Sequence, residues 1–103
     1  MTEIKLESKF ESELINTYKE AKKLKYNPTR FLNMVYRWGG VETAKRILAT
    51  EDFIQEGITK LWKLGGLSIS LEAIVLKPEY RELFTDRELK TAKKRLEDLD
   101  YFK

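Results

Sequence analysis

Two groups of three lysines are the residues in this sequence whose type and spacing best suit chemistry. Each group has the spacing i, i+3, i+4, and the members are Lys19, Lys22 and Lys23, then Lys90, Lys93 and Lys94. On a helix this spacing brings three ammonium groups within about 100° of one another. If the two terminal helices pack side by side, the lysines would form one strip that binds nucleic-acid phosphates, of DNA or RNA. Such runs more commonly solvate the outer face of an amphipathic helix, and that alternative stays open.

A glycine turn between two predicted helices supplies a second candidate. Gly39-Gly40 separates a helix that ends near Trp38 from a short helix over Val41–Ala49. Helix, turn and helix is the order of a helix-turn-helix motif, in which Lys45 and Arg46 would contact phosphate. The second helix carries no Asn or Gln to read adenine, so a structural corner between helices is the simpler interpretation.

Aromatic side chains outnumber the core positions that the sequence pattern offers them. They are Tyr26, Tyr36, Trp38, Trp62, Tyr80, Tyr101 and Phe102. Tyr36 lies beside the inner stripe of its helix with Arg37 next to it, and exposed aromatic and arginine side chains are typical anchors of protein interfaces. Tyr36, Arg37, Tyr101 and Phe102 therefore form a candidate surface for a protein partner or for a second copy of this chain. Ordinary helix packing with phenol groups reaching water is the alternative.

The sequence offers little for catalysis. It has no cysteine and no histidine, which removes the thiolate nucleophile, the commonest general base and the commonest metal ligand. Four carboxylates, Glu42, Glu51, Asp52 and Glu56, could act with a lysine, but acidic residues in helical turns usually cap or solvate. Asp52 and Glu56 share a face without a third ligand, and the glycine pairs lack the Lys-Ser/Thr of a phosphate loop. We therefore expect no enzyme, no cofactor and no metal.

Composition bounds the class of protein. The chain has 103 residues, the size of one domain, and its net charge of +3 is mildly basic, too small to establish a nucleic-acid partner. The amino terminus lacks the apolar stretch of a signal peptide, and no apolar run approaches the length that spans a membrane. A cytoplasmic protein without a membrane partner is the expectation.

Hydrophobic periodicity predicts an all-α fold, a single compact domain of about five to six short helices. The predicted segments are a loose lead-in at 1–8, then helices over Lys9–Lys25, from Pro28 to Trp38, over Val41–Ala49, up to Leu64, over Leu71–Leu76, one or two turns over Glu79–Phe84, and a last helix after Thr85. Asn27, Ser70 and Thr85 are the expected N-caps, and Thr85 with Glu88 forms a capping box. Glycines 39–40 and 65–66 stop the helices before them.

The chain is organised around the segment from Phe53 to Phe84. Its helix places one apolar stripe inward, which is Phe53, Ile54, Ile58, Leu61 and Trp62. Leu67–Leu71 alternates as a strand does, but no second strand exists to pair with it, which favours an extended entry into the next helix over a strand. In that helix Leu71, Ile74, Val75 and Leu76 cover most of the surface, so burial on several sides is expected.

Five segments in this order resemble a pattern found in small, uncharacterised bacterial proteins. They are Tyr26–Leu32, Gly39–Leu48, Gly57–Trp62, Leu71–Leu76 and Pro78–Thr85. Similar segments occur alone or as tails of larger proteins, including nuclease-like and other DNA-handling enzymes. The resemblance implies a portable helical module of bacterial or phage origin, with no activity or site residues to carry over. The chain departs from the pattern at residues 63–66, where a more charged turn is expected.

Overall fold

The computed structural model describes residues 2–102, with the side chains of that range except those of residues 2–5 and 51–56. Its α-helices are α1 (Thr2–Lys23), α2 (Thr29–Trp38), α3 (Gly40–Ala49), α4 (Glu51–Lys63), α5 (Leu71–Val75) and α6 (Asp86–Asp98), with 3₁₀ helices at Leu67–Ile69 and Pro78–Leu83. No strand occurs in the described range, so the all-α prediction is confirmed. The helix count differs slightly from the expected five to six, because the described range contains two 3₁₀ helices in addition to its six α-helices.

The first helix begins earlier than its periodicity indicated. The expected loose lead-in is wrong from Thr2 to Ser8, because α1 begins at Thr2 and Leu6 packs against the core. Phe10 and Leu14 follow on the same face and are completely buried. Apolar contacts therefore hold the first half of the helix against the core. The many polar residues around Leu6 gave no sign of these contacts in the sequence.

Residues with positive φ follow four of the α-helices, namely α1, α2, α4 and α6. Gly39 (φ 84°) and Gly65 (φ 75°) have this conformation as expected, since glycine has no Cβ to clash. Lys25 (φ 72°) and Asp100 (φ 60°) adopt it without being glycine. The same closing hydrogen bond follows three of them, donated to Ala21, Leu61 and Leu96 by the amides of Tyr26, Gly66 and Tyr101. A shared backbone geometry, rather than glycine alone, thus sets these ends.

Two of the three expected N-caps are confirmed. The Ser70 hydroxyl accepts from the Ala73 amide at 3.2 Å, and Thr85 with Glu88 forms the complete capping box. Asn27 is not the N-cap of α2, because Pro28 occupies that position and its carbonyl accepts the first helical bond, from Leu32. The helix therefore starts one residue later than the Asn-Pro signal indicated.

The organising segment is confirmed at its centre and corrected at its edges. Ile74 and Val75 are buried, at 4% and 0% exposure. Leu67–Ile69 forms a 3₁₀ turn instead of the expected extended entry, and its backbone closes on itself without a strand partner. Trp62 is 47% exposed, so its expected place in the core is wrong. Of the predicted apolar stripe of α4, Ile58 and Leu61 are buried. Phe53 and Ile54 lie outside the described side chains.

Three aromatic rings form the centre of the main core. Phe10 packs edge-on against Tyr80 and Phe84, with ring centroids 5.1 Å and 5.3 Å apart. The Tyr80 hydroxyl donates to Glu13, which also pairs with the Lys77 ammonium. Burial alone would raise the pKa of Glu13, but the bonds from Lys77 and Tyr80 hold it below its usual value. The polar tip of the buried ring is thus fully satisfied.

A buried ion pair joins α6 to the two helices beneath it. The Arg95 guanidinium donates to the Glu72 carboxylate at 3.3 Å, and Glu72 is 2% exposed. The same guanidinium donates to the backbone carbonyls of Ile47, Leu48 and Thr50 at the end of α3. Burial raises the pKa of Glu72 although Arg95 opposes the shift. One side chain therefore closes the end of α3 and neutralises the acid of α5.

Replacing Arg95 by methionine should lower the free energy of unfolding by about 3–5 kcal/mol near neutral pH, because a carboxylate stays buried without its partner. The raised pKa of Glu72 means that its contribution is complete below the unfolded value of about 4.3 and is lost as pH rises through the folded value. The deficit of Arg95→Met should therefore be smaller at about pH 5 than at about pH 8. Urea unfolding at both pH values measures it.

The double variant Glu72→Gln/Arg95→Met serves as the control, because a glutamine side chain does not titrate. It should recover part of the lost stability and show no such dependence on pH. A deficit of Arg95→Met that is equal at both pH values contradicts the assignment.

Candidate nucleic-acid interface

The six lysines of the two triplets all lie on solvent-facing positions. Lys19, Lys22 and Lys23 stand near the end of α1, and Lys90, Lys93 and Lys94 lie along α6. Opposite them, Leu14 and Ala21 of α1 and Ala92 and Leu96 of α6 are completely buried. The amphipathic division therefore leaves both groups of ammonium ions free of the core.

The terminal helices share neighbours instead of packing along each other. Both α1 and α6 pack against α3 and α5. The direct pairing that would merge the two triplets into one strip is therefore not the arrangement of these helices. The lysines therefore form two basic faces, one on α1 and one on α6.

Ion pairs at these lysines are local and exposed. Lys23 meets Glu20 at 2.8 Å, and Lys94 meets Asp98 at 3.6 Å. Exposed pairs of this kind contribute little to stability, about 0–1 kcal/mol, since water screens them. A phosphate group can replace either carboxylate at small cost.

Lys45 has a different environment from the triplets. Its ammonium is 2.9 Å from Glu88 of the capping box and 5.4 Å from the Phe84 ring centroid. Burial alone would raise the pKa of Glu88, but the backbone of Thr85 and the ammonium of Lys45 hold it below its usual value. Lys45 thus links α3 to the start of α6 through an ion pair. The ammonium that was expected to contact phosphate is therefore paired with Glu88.

Arg46 stacks on an aromatic ring instead of projecting freely. Its guanidinium lies 4.2 Å from the Trp38 ring centroid and 2.9 Å from the Glu42 carboxylate. The Arg37 guanidinium is 5.8 Å from the same indole. The structure therefore brings together Arg37 and Arg46, which the sequence assigned to different partners.

The glycine corner is built for close helix packing. A Cβ at Gly40 would lie 2.7 Å from the Glu11 backbone of α1, and the Gly40 amide donates to the Glu11 carboxylate at 2.9 Å. The groove at this corner is lined by acidic side chains, namely Glu7, Glu11 and Glu42. Because α1 covers the start of α3 with negative charge, this geometry favours a structural corner over a groove-reading helix.

Some of the aromatic side chains that the sequence assigns to the surface are exposed, and one is buried. Tyr36 is 68% exposed, and Tyr101 and Phe102 pack edge-on with their ring centroids 5.2 Å apart while facing solvent. Tyr80, counted among the surplus aromatics, is completely buried. Trp62 is also exposed, although its helical spacing predicted a place in the core.

The proposed carboxylates do not assemble into a described metal site. Glu42 pairs with Arg46, while the side chains of Glu51, Asp52 and Glu56 lie outside the described residues. Among the side chains that the structure describes, no group of three or more acidic residues is placed to hold a metal ion. Within the same part of the chain, no helix has the length and apolar character needed to cross a bilayer.

Known proteins add no further constraint on this site. Comparison with models of known protein families, with curated proteins and with solved structures finds no match to this chain. The surface must therefore be interpreted from its own geometry.

Lys45→Met should lower the free energy of unfolding by about 1 kcal/mol, because it removes a half-buried ion pair. The depressed pKa of Glu88 adds stability that is present above about pH 4.3 and is lost as pH falls through the folded value. The variant should therefore lose less stability than the parent on acidification, which urea unfolding at several pH values measures.

Lys93→Met, at an exposed position, is the control and should change stability by less than about 0.5 kcal/mol. Equal effects of the two substitutions would assign Lys45 to the solvated surface.

Proposed function

We propose that this protein is a non-catalytic accessory module that binds the phosphate backbone of nucleic acid through the exposed lysines of α1 and α6. The observation that carries the proposal is the exposure of all six triplet lysines on helices whose opposite faces are buried. A bacterial or phage setting follows from the resemblance of the segments between Tyr26 and Leu96.

The chemistry of the triplets suits a backbone partner more than a base-reading one. Lysine ammonium groups act as point charges that neutralise phosphates and release condensed counterions. The sequence-reading side chains that a groove demands are lacking on α3, whose start lies under acidic residues of α1. Binding is therefore expected to depend on salt and little on sequence.

On duplex DNA the logarithm of the binding constant should fall with the logarithm of salt concentration with a slope of about −4 to −5, corresponding to roughly four to six phosphates. Fluorescence anisotropy over a range of salt concentrations measures this slope. If the protein does not bind duplex DNA at low salt, the proposal is wrong.

Charge reversal of each triplet tests which face binds. Lys19, Lys22 and Lys23 changed together to glutamate, or Lys90, Lys93 and Lys94 changed likewise, should each reduce the slope, and both together should abolish binding. The matched control reverses the exposed Arg37, Lys63 and Arg81, which lie outside α1 and α6 and change the net charge as much as the reversal of one triplet does. Binding that survives the combined reversal contradicts the assignment, and so does a control that weakens binding as much as the reversal of one triplet.

A protein partner is the second candidate, and exposed aromatic side chains favour it. Tyr36, Trp62 and Phe102 are 68%, 47% and 54% exposed, a feature typical of interface anchors. Under this alternative the chain is a subunit, an inhibitor of a host defence complex or a homodimer. Sedimentation velocity of the chain should then show concentration-dependent association that Tyr101→Ser/Phe102→Ser weakens. A strict monomer would reject the homodimer.

A further inference from the structure

A cavity of about 250 Å³ has none of the six triplet lysines in its lining. The end of α1, the connection to α2 and one side of α4 enclose it, and α3 and α5 close its inner side. Its walls include the apolar side chains of Phe31, Ile58 and Leu61. An apolar cavity of about 150 Å³ already holds a benzene-sized ring. This one therefore has space for one small heterocycle.

The inner side of the cavity carries a buried carboxylate. Glu72 lines it and is 2% exposed, with its Oε2 held by Arg95 from the side of α6. A carboxylate has about four lone-pair positions, and the bonds from Arg95 and from the Glu72 amide use two of them, which leaves acceptor capacity for a donor within the cavity. The arginine fixes the orientation of the acid, which is the preorganisation that a ligand site needs.

The outer side of the cavity is cationic and aromatic. The exposed Lys60 ammonium lies 5.4 Å from the Tyr26 ring centroid, and both residues line the opening, as does Arg30. The Lys60 ammonium at the mouth suits an anionic group. The site is therefore acidic within and basic outside, with apolar walls between.

We propose that this cavity binds a nucleotide whose base carries an exocyclic amino group. The amino group donates to Glu72, the base lies between the apolar walls, and the phosphate lies at the mouth near Lys60. Adenine, cytosine and guanine present such a donor, and a glutamate accepting from the amino group of cytosine is a known mode of base recognition. Uracil presents carbonyl oxygens on both sides of its N–H, and these would repel the carboxylate. The ligand is either a free mononucleotide or an unpaired nucleotide of a single strand.

This inference goes beyond the proposed function and does not depend on it, because the residues and the chemistry differ. The lysine faces are expected to bind any phosphate backbone, whereas the cavity selects a base. Loss of one activity can therefore be measured without loss of the other.

Gly57 provides a variant that closes the cavity without removing a contact. It lines the cavity on α4, and a Cβ at this position would meet only the Tyr26 hydroxyl, at 3.8 Å. Gly57→Leu should fill the space while favouring the helix, since glycine is a poor helix former. Gly57→Ala adds one methyl group in ordinary contact and is the matched control that leaves the cavity open.

Calorimetry and amide NMR titrations with AMP, CMP, UMP and adenosine test the proposal on the full chain. AMP and CMP should bind one to one and shift resonances around Phe31 and Leu61, with UMP at least about tenfold weaker. Gly57→Leu should abolish AMP binding and Gly57→Ala should retain it. Lys60→Glu should weaken AMP about fivefold or more and leave adenosine unchanged, because only the phosphate contact is lost.

Two results would overturn the proposal: AMP binding that Gly57→Leu leaves unchanged, or UMP binding as tight as that of AMP. A short single-stranded oligoadenylate identifies the source of the base, since displacement of this strand by AMP assigns the site to unpaired nucleotides. An oligonucleotide that binds without competing with AMP assigns the cavity to free nucleotides. Binding of duplex DNA by Gly57→Leu reports separately on the lysine faces.

Discussion

The fold depends on the need to pair one buried carboxylate. Glu72 is almost fully removed from water, and the Arg95 guanidinium is the charge that meets it. The same group donates to the Ile47 and Leu48 carbonyls at the end of α3, of which Ile47 also accepts from the Thr50 amide. Because a buried unpaired charge is far more costly than a lost surface contact, this arrangement fixes α6 relative to α3 and α5. The inner side of the cavity is fixed with it.

The same constraint decides which charges face outward. Successive residues on a helix point about 100° apart, so turning Arg95 inward leaves Lys93 and Lys94 on the solvent side of α6. The basic face and the buried ion pair are thus two consequences of one helix orientation. On α3 the equivalent choice engages Lys45 with Glu88 and stacks Arg46 on Trp38. Basic residues with the same sequence appearance therefore have structural roles on α3 and exposed positions on α6.

Most predictions of helix ends from local signals succeeded, although the Asn27 cap did not, and contacts between distant segments were not predicted. The Ser70 cap, the Thr85–Glu88 capping box and the glycine stops act within one helical turn, and each is found where the sequence placed it. Trp62 has the spacing of a core residue but lies beyond the apolar contacts that other segments provide. The pairing of Glu72 with Arg95 spans 23 positions, and nothing in either local sequence indicates it.

The sequence by itself determined the helical class, most helix ends and the amphipathic faces that expose the lysine triplets. These follow from backbone sterics and from a periodicity of 3.6 residues, which operate on neighbouring residues. The tertiary structure alone decided the separation of the two triplets by α3 and α5, the inward turn of Arg95 and Lys45, and the cavity lined by Glu72. Burial and ion pairing depend on which distant segments meet, and local periodicity carries no information about that choice.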